Sequence, residues 1–314
     1  MISLKSLFGG NKKSEEQQEK KNFEILKYDG MRAQRMHKFA YAIKCFEEAL
    51  AIQEDMETMG LLASTYTLVN QLDDAHALLE KMIQKVPNEI EPLLSLASLC
   101  YMQEDYACME KTCQQAIEAD KENPIAHFLA AKAYLGNKND IMAIAMLTRA
   151  IVLKEDFAEA IQLRADVLWR LKQIKDAAED VQTLLKLNPE DEAALMLKGE
   201  ILNATNEKDE AITLLKQVLA LNPFNEKAYL LLSTIWSEQK EYEKAIEMLD
   251  EAIEINPNFA KAYHERGRIK LLKGDKNGSI EDIKKAMELN PEEETVINGN
   301  YNNFDDMKKN VPFG

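Results

Sequence analysis

Cysteine and histidine are the residues with which this sequence could hold a metal or build a nucleophile, and it has few of either. Cys45, Cys100, Cys108 and Cys113 are its four cysteines, and His37, His76, His127 and His264 its four histidines, in 314 residues. A zinc module needs thiolates and imidazoles at short, paired spacings that can close a tetrahedron. The run Cys100, Cys108, Cys113 does not match one. Helical periodicity instead puts Cys100 and Cys113 opposite each other between two helices, as small buried hydrophobes, with Cys108 near the turn. No metal and no cofactor is expected. His127 stands where other parts of the chain carry Tyr229 and Tyr263, a packing position. His37 and His76 fall near turns or on outer faces, where they are solvated, and His264 faces a groove. The chain also lacks a glycine-rich phosphate cradle, a nucleophile elbow and a histidine pair at metal-binding spacing. It is therefore expected to be no enzyme and to have no small-molecule substrate.

Charge narrows the partners. Lys and Arg number 39 against 54 Asp and Glu, a formal charge of -15, and the pI is about 4.9. Nucleic-acid phosphates call for a basic stripe, so nucleic acid is excluded as a partner. No run reaches the eighteen or so apolar residues of a membrane span. The opening MISLKSLFGGNKKSEEQQEKK has no continuous apolar core or cleavage site, and a cytoplasmic protein is expected. Leu4, Leu7 and Phe8 share one helical face, which would support at most a weak contact with a membrane or partner.

The elements that position everything else repeat. In Glu226–Phe259, Ala228, Tyr229, Leu232, Ser233 and Trp236 recur at the spacing of one buried helical face. After a polar turn at Gln239 to Glu241, Ala245, Leu249 and Ala252 do the same, and Asn256-Pro257 stops the second helix. The proline position recurs at Pro87, Lys121, Glu155, Pro189, Pro223, Pro257 and Pro291, every 34 residues. In the same register the second helix opens with Ala75, Met109, Ala143, Ala177, Ala211, Ala245 and Ser279. A further unit, with Gly30, Ala42, Phe46 and Ala49 in the matching places, precedes them and is one residue shorter.

That pattern resembles the tetratricopeptide repeat. Gly199 and Gly267 occupy the small-residue position of the first helix, with Ala63, Ala97, Ala131, Ala165 and Ser233 as substitutes. Tyr66, Tyr134 and Trp236 fill the aromatic position, whereas Ala33, Cys100, Leu168, Leu202 and Lys270 depart from it. The resemblance implies an all-α, right-handed α-solenoid or superhelix of about eight helix-turn-helix units, of the repeat-only kind found in bacteria. Its units are expected at about 23–55, 56–89, 90–123, 124–157, 158–191, 192–225, 226–259 and 260–293. Residues 1–22 form a mobile polar segment. Residues 294–314 are a tail or partial cap, folding Tyr301 or Phe304 over the edge made by Ile283, Ala286 and Met287. Neither segment is long enough for a catalytic domain.

In this family first helices line a concave groove and second helices form the outer wall. Groove positions left over from packing are Leu230, Leu231 and Thr234 in the unit quoted above, flanked by Lys227, Ser237 and Glu238. Register transfers them to Leu61, Ser64 and Thr67, to Leu94, Ser95 and Tyr101, and to Phe128, Leu129 and Lys132. They continue as Gln162, Leu163, Asp166, Trp169 and Arg170, then Met196, Leu197, Glu200 and Asn203, then Lys261, His264, Glu265 and Arg268. The clamp with which some members hold a chaperone's C-terminal carboxylate is missing: Lys261 fits one place, but Glu265 stands where an arginine belongs. An apolar groove with polar edges suits an extended or helical peptide, with Trp169 as its anchor and Trp236 in the core. The expected function is a protein-protein interaction scaffold. Its alternatives are an assembly role through the ends or outer wall, or a regulatory subunit of a separate enzyme.

Overall fold

A computed structural model describes residues 5–291 of the protein, and sixteen α-helices account for nearly all of them. They are joined in pairs: α1 (Lys5–Arg35) with α2 (Phe39–Ile52), α3 (Met56–Leu68) with α4 (Leu72–Lys85), α5 (Ile90–Met102) with α6 (Tyr106–Ala119), and α7 (Pro124–Gly136) with α8 (Asp140–Leu153). The series continues with α9 (Ala158–Arg170) and α10 (Ile174–Leu187), α11 (Glu192–Ala204) and α12 (Lys208–Leu221), α13 (Glu226–Glu238) and α14 (Tyr242–Ile255), and α15 (Ala260–Lys273) and α16 (Lys276–Leu289). From α3 onward each first helix starts 34 positions after the last. The fold is an all-α solenoid of helix hairpins.

Local chemistry sets the ends of these helices. Asp55, Asp105, Asn123, Asn139, Asp191, Asn225 and Asp275 each accept a hydrogen bond from an amide of the following helix's first turn. Each such cap stabilises its helix by about 1 kcal/mol. Second helices stop two residues before the proline position, and they do so even where it holds Lys121 or Glu155. Proline is therefore not what ends them. The residue after the helix is often Asp120, Asn188, Asn222 or Asn256, and its side-chain oxygen accepts an amide two residues on. That Asx turn redirects the chain by itself.

Turns inside each pair share one device. His37, Asn70, Glu104, Lys138, Lys172, Asn206, Lys240 and Gly274 all have positive φ, between 56° and 97°. The following amide reaches five residues back to a helix carbonyl, as in Gln71 to Tyr66 at 2.8 Å and Glu241 to Trp236 at 2.8 Å. This is a left-handed C-terminal cap, and only the last of the eight uses the residue that adopts it without strain.

The chain divides into two compact units, Met1–Val167 and Leu168–Gly314. In the first, Met59, Leu93, Leu99, Met109 and Leu147 are fully buried between stacked helices; in the second, Leu215, Leu232, Ile235 and Leu249 are. Ala75, Met109, Ala143, Ala177, Ala211 and Ala245, at the start of the second helices, have no exposed surface. At Gly199 a Cβ would come within 2.9 Å of the Leu215 side chain, so α11 and α12 approach closely there and the leucine would have to shift for a larger residue.

α1 runs back through most of the polar stretch 1–22, taking in Gly9 and Gly10. Once Phe23 and Lys27 are buried, the latter with its ammonium 2.9 Å from Asp55 and 2.6 Å from Glu57, each further turn only adds hydrogen bonds to an existing helix. The contact expected of Leu4, Leu7 and Phe8 and the fold-back of 294–314 lie outside the described side chains. Among the described residues no helix is long and apolar enough to cross a membrane.

Candidate functional site

In the first unit an open recess of about 380 Å³ lies on the exposed face of the first helices. α5 contributes Leu94, Ser95 and Ser98, α7 contributes Ile125, Phe128 and Leu129, and Phe157 and Glu159 close the far side. Phe128 and Phe157 form its floor, their ring centroids 5.0 Å apart. Beside it the Lys132 ammonium lies 3.6 Å from the centre of the Tyr101 ring, a cation-π pair that ties α7 to α5. An apolar floor with a hydroxyl and carboxylate rim can take an aliphatic or aromatic side chain and satisfy the backbone beside it.

Of the residues expected in the groove, Leu94, Phe128 and Leu129 meet in this recess, with Tyr101 and Lys132 alongside. Leu61 and Leu163 are half-buried against core clusters of the same unit, and the Gln162 amide donates to Asp166 at 3.0 Å. In the second unit, Leu230 and Leu231 pack partly against the core, and the Thr234 hydroxyl donates to the Leu230 carbonyl at 2.8 Å. Trp169 is half-buried, with the Lys172 ammonium 5.2 Å from its ring, and Arg170 is exposed. His264 lies 3.4 Å from Glu265, which also accepts from Arg268 at 2.8 Å.

Some expectations need correcting. Met196 and Leu197 are 7% and 5% exposed. Neighbouring helices close over these side chains, so they pack sideways in the stack and present little to a ligand. Trp236, at 6%, is in the core, as its register requires. His127 is buried, with Nε2 3.0 Å from the Lys121 carbonyl.

The cysteines are arranged differently from the expectation. Cys100 is joined to Cys108 in a disulfide, with Cα atoms 6.0 Å apart, while Cys45 and Cys113 are buried free thiols. Burial, with a smaller contribution from Glu110, pushes the Cys113 thiol up to about 12. Cys108 sits in the first turn of α6, its amide held by Asp105 at 2.9 Å. That turn packs against the end of α5, which brings Cys108 to Cys100 and leaves Cys113 a helical turn too far along. His76, on α4 of the preceding repeat, brings a ring nitrogen within 4.8 Å of both sulfurs. Linear spacing hides this cluster because His76 belongs to another repeat; overlaying the register of α4 on α6 would have placed His76 and Cys108 at the same end of their helices.

Three family models, each described as tetratricopeptide repeat, match residues 163–226, 202–268 and 260–293. With eight helix pairs in one register, they decide the family. This is a tetratricopeptide repeat protein. Among solved structures, a tetratricopeptide repeat protein from Parabacteroides merdae superposes with a TM-score of 0.60 at 17% identity, covering 77% of this chain and 96% of that one. YrrB, described as a TPR protein with an unusual peptide-binding site, superposes at 0.52 with 25% identity, over 59% of this chain and 96% of its own. In sequence, DnaJ homolog subfamily C member 3 from Gallus gallus is 34% identical over 76 residues, and its Mus musculus counterpart 31% over 77. Those stretches are 24% of this tetratricopeptide repeat chain and only 15% of the length of each relative.

Proposed function

We propose that the protein is a non-catalytic interaction scaffold that holds a segment of another protein against its first helices. The observation that carries this reading is the recess between α5 and α7: open to solvent, floored by Phe128 and Phe157 and rimmed by Ser95, Ser98 and Glu159. An anchor side chain enters it while Tyr101 and Lys132 border the peptide on one side. Tetratricopeptide repeats are in general protein-binding modules, and the similarity to YrrB, whose description names a peptide-binding site, favours a peptide over a folded surface. The net charge of -15 disfavours nucleic acid.

Co-purification from the native cell tests this. Ser95→Glu with Ser98→Glu puts two charges on the recess rim without touching the core, and Trp169→Ala removes the second expected anchor. Loss of an anchor of this kind costs about 2 kcal/mol, roughly thirtyfold in affinity. If the same partners are recovered in undiminished amount with the rim variant, the groove reading is wrong and an assembly role through other surfaces replaces it.

A further inference from the structure

We propose that Cys100, Cys108 and His76 form a site for a thiophilic divalent cation, Zn²⁺ by its chemistry, when the two cysteines are reduced. Two sulfurs and one imidazole nitrogen already lie within 4.8 Å of one another. Zinc binds thiolate at about 2.3 Å and imidazole at about 2.0–2.1 Å, so tetrahedral ligand atoms stand roughly 3.5–3.8 Å apart. Once the sulfur-sulfur bond is opened, small side-chain rotations meet that spacing.

The surroundings suit a metal ligand set. The two nitrogens of His76 each face an oxygen, Nδ1 towards Gln103 Oε1 at 3.4 Å and Nε2 towards Glu80 Oε1 at 3.6 Å. Whichever nitrogen takes the cation, the other can donate to an acceptor, the arrangement that fixes the tautomer of metal-bound histidine. Cys100 is buried, while His76 and Cys108 are half-exposed, so one side stays open to water or to the Glu80 carboxylate as fourth ligand. The bound ion would staple α4 of the second repeat to α5 and α6 of the third.

The disulfide is the competing state. Two equivalents of a small thiol reduce it, taking the place of the Cys100–Cys108 bond with two protein thiols and leaving the reductant as its own disulfide. Zn²⁺ then displaces the two thiol protons to solvent. Oxidation by a disulfide reverses both steps and releases the ion.

The full chain, reduced with a phosphine under anaerobic conditions, is titrated with Co²⁺. One Co²⁺ per chain should give thiolate-to-cobalt absorption in the near ultraviolet and the intense visible bands of a tetrahedral site, and added Zn²⁺ should bleach both. His76→Ala should weaken binding at least about tenfold, and Cys108→Ser should abolish the thiolate band. The unreduced wild-type protein should show neither absorption, a comparison that involves no substitution and hence no question of folding. The proposal is overturned if reduced wild-type protein gives no thiolate band, if the band survives Cys108→Ser, or if oxidised protein binds Co²⁺ equally well.

Discussion

Asp282 is 4% exposed, yet it is charged, because Arg266 binds it through two nitrogens at 2.9 and 2.6 Å and Lys270 at 2.8 Å. Burial alone would push its carboxyl up, but these hydrogen bonds outweigh burial and hold it below the usual carboxylate range. A lowered native value means the stabilisation is fully present above the unfolded value of about 3.9 and is lost as pH falls through the native one. Acid unfolding followed by circular dichroism should therefore show wild-type protein losing stability below about pH 4, and Asp282→Asn losing less there because it lacks that carboxylate. At pH 7 the same substitution should cost about 2–3 kcal/mol, since it takes the carboxylate from the half-buried Lys270 and leaves Arg266 only Asp250. Cys113 makes the opposite case: with its thiol pushed up to about 12, it should resist alkylation at pH 8 in the folded, reduced protein while Cys108 reacts. Mass-spectrometric mapping of the labelled thiols checks this. At this scale the sequence was half legible. Register separated Trp236 from Trp169, but it could not show that Met196 and Leu197 are covered, because that depends on how closely neighbouring first helices approach.

That the chain is a series of helix pairs was legible, and for a physical reason, although the second helices open three residues before the expected alanine positions. A two-helix unit cannot bury its own apolar face, so every unit must present the same face at the same spacing to its neighbours. At Lys121 the Asx turn of Asp120 does what proline was expected to do, and at Glu155 the helix still ends at the same place, after Leu153. What periodicity does not reveal is backbone hand. The polar turn at Gln239 to Glu241 was evident in the sequence, whereas the φ of 65° at Lys240 was not. Non-glycine residues pay for that conformation with about 1–2 kcal/mol, partly offset by glycine's greater entropy loss on folding. Lys240→Gly should thus stabilise the protein by about 0.5–1 kcal/mol, and Gly274→Ala should destabilise it by a similar amount. Urea midpoints at unchanged slope would register both; a Lys240→Gly midpoint below wild type would show that the lysine makes a compensating contact.

Within each unit the helices that pack together are neighbours or next-neighbours in sequence, such as α5 with α6 and α7, or α13 with α14 and α15. Stability in such an array is a sum of repeat and nearest-neighbour terms, so a defect is felt where it is made and fades along the stack. The cluster at Cys100 eluded linear spacing for the same reason: in a stacked array, chemistry is assembled across the seam between repeats, from positions about one repeat apart. Asp282→Asn tests the locality directly. The ion pairs it breaks join α15 to α16, and Arg266 also reaches Asp250 on α14. Native-state hydrogen exchange should show opening free energies falling by about 2–3 kcal/mol in α15 and α16 and by less in α14. Amides in α3–α6 should exchange as in wild type. A uniform fall across all described helices would mean that the chain unfolds as one cooperative body, and the additive account of its stability would have to be given up.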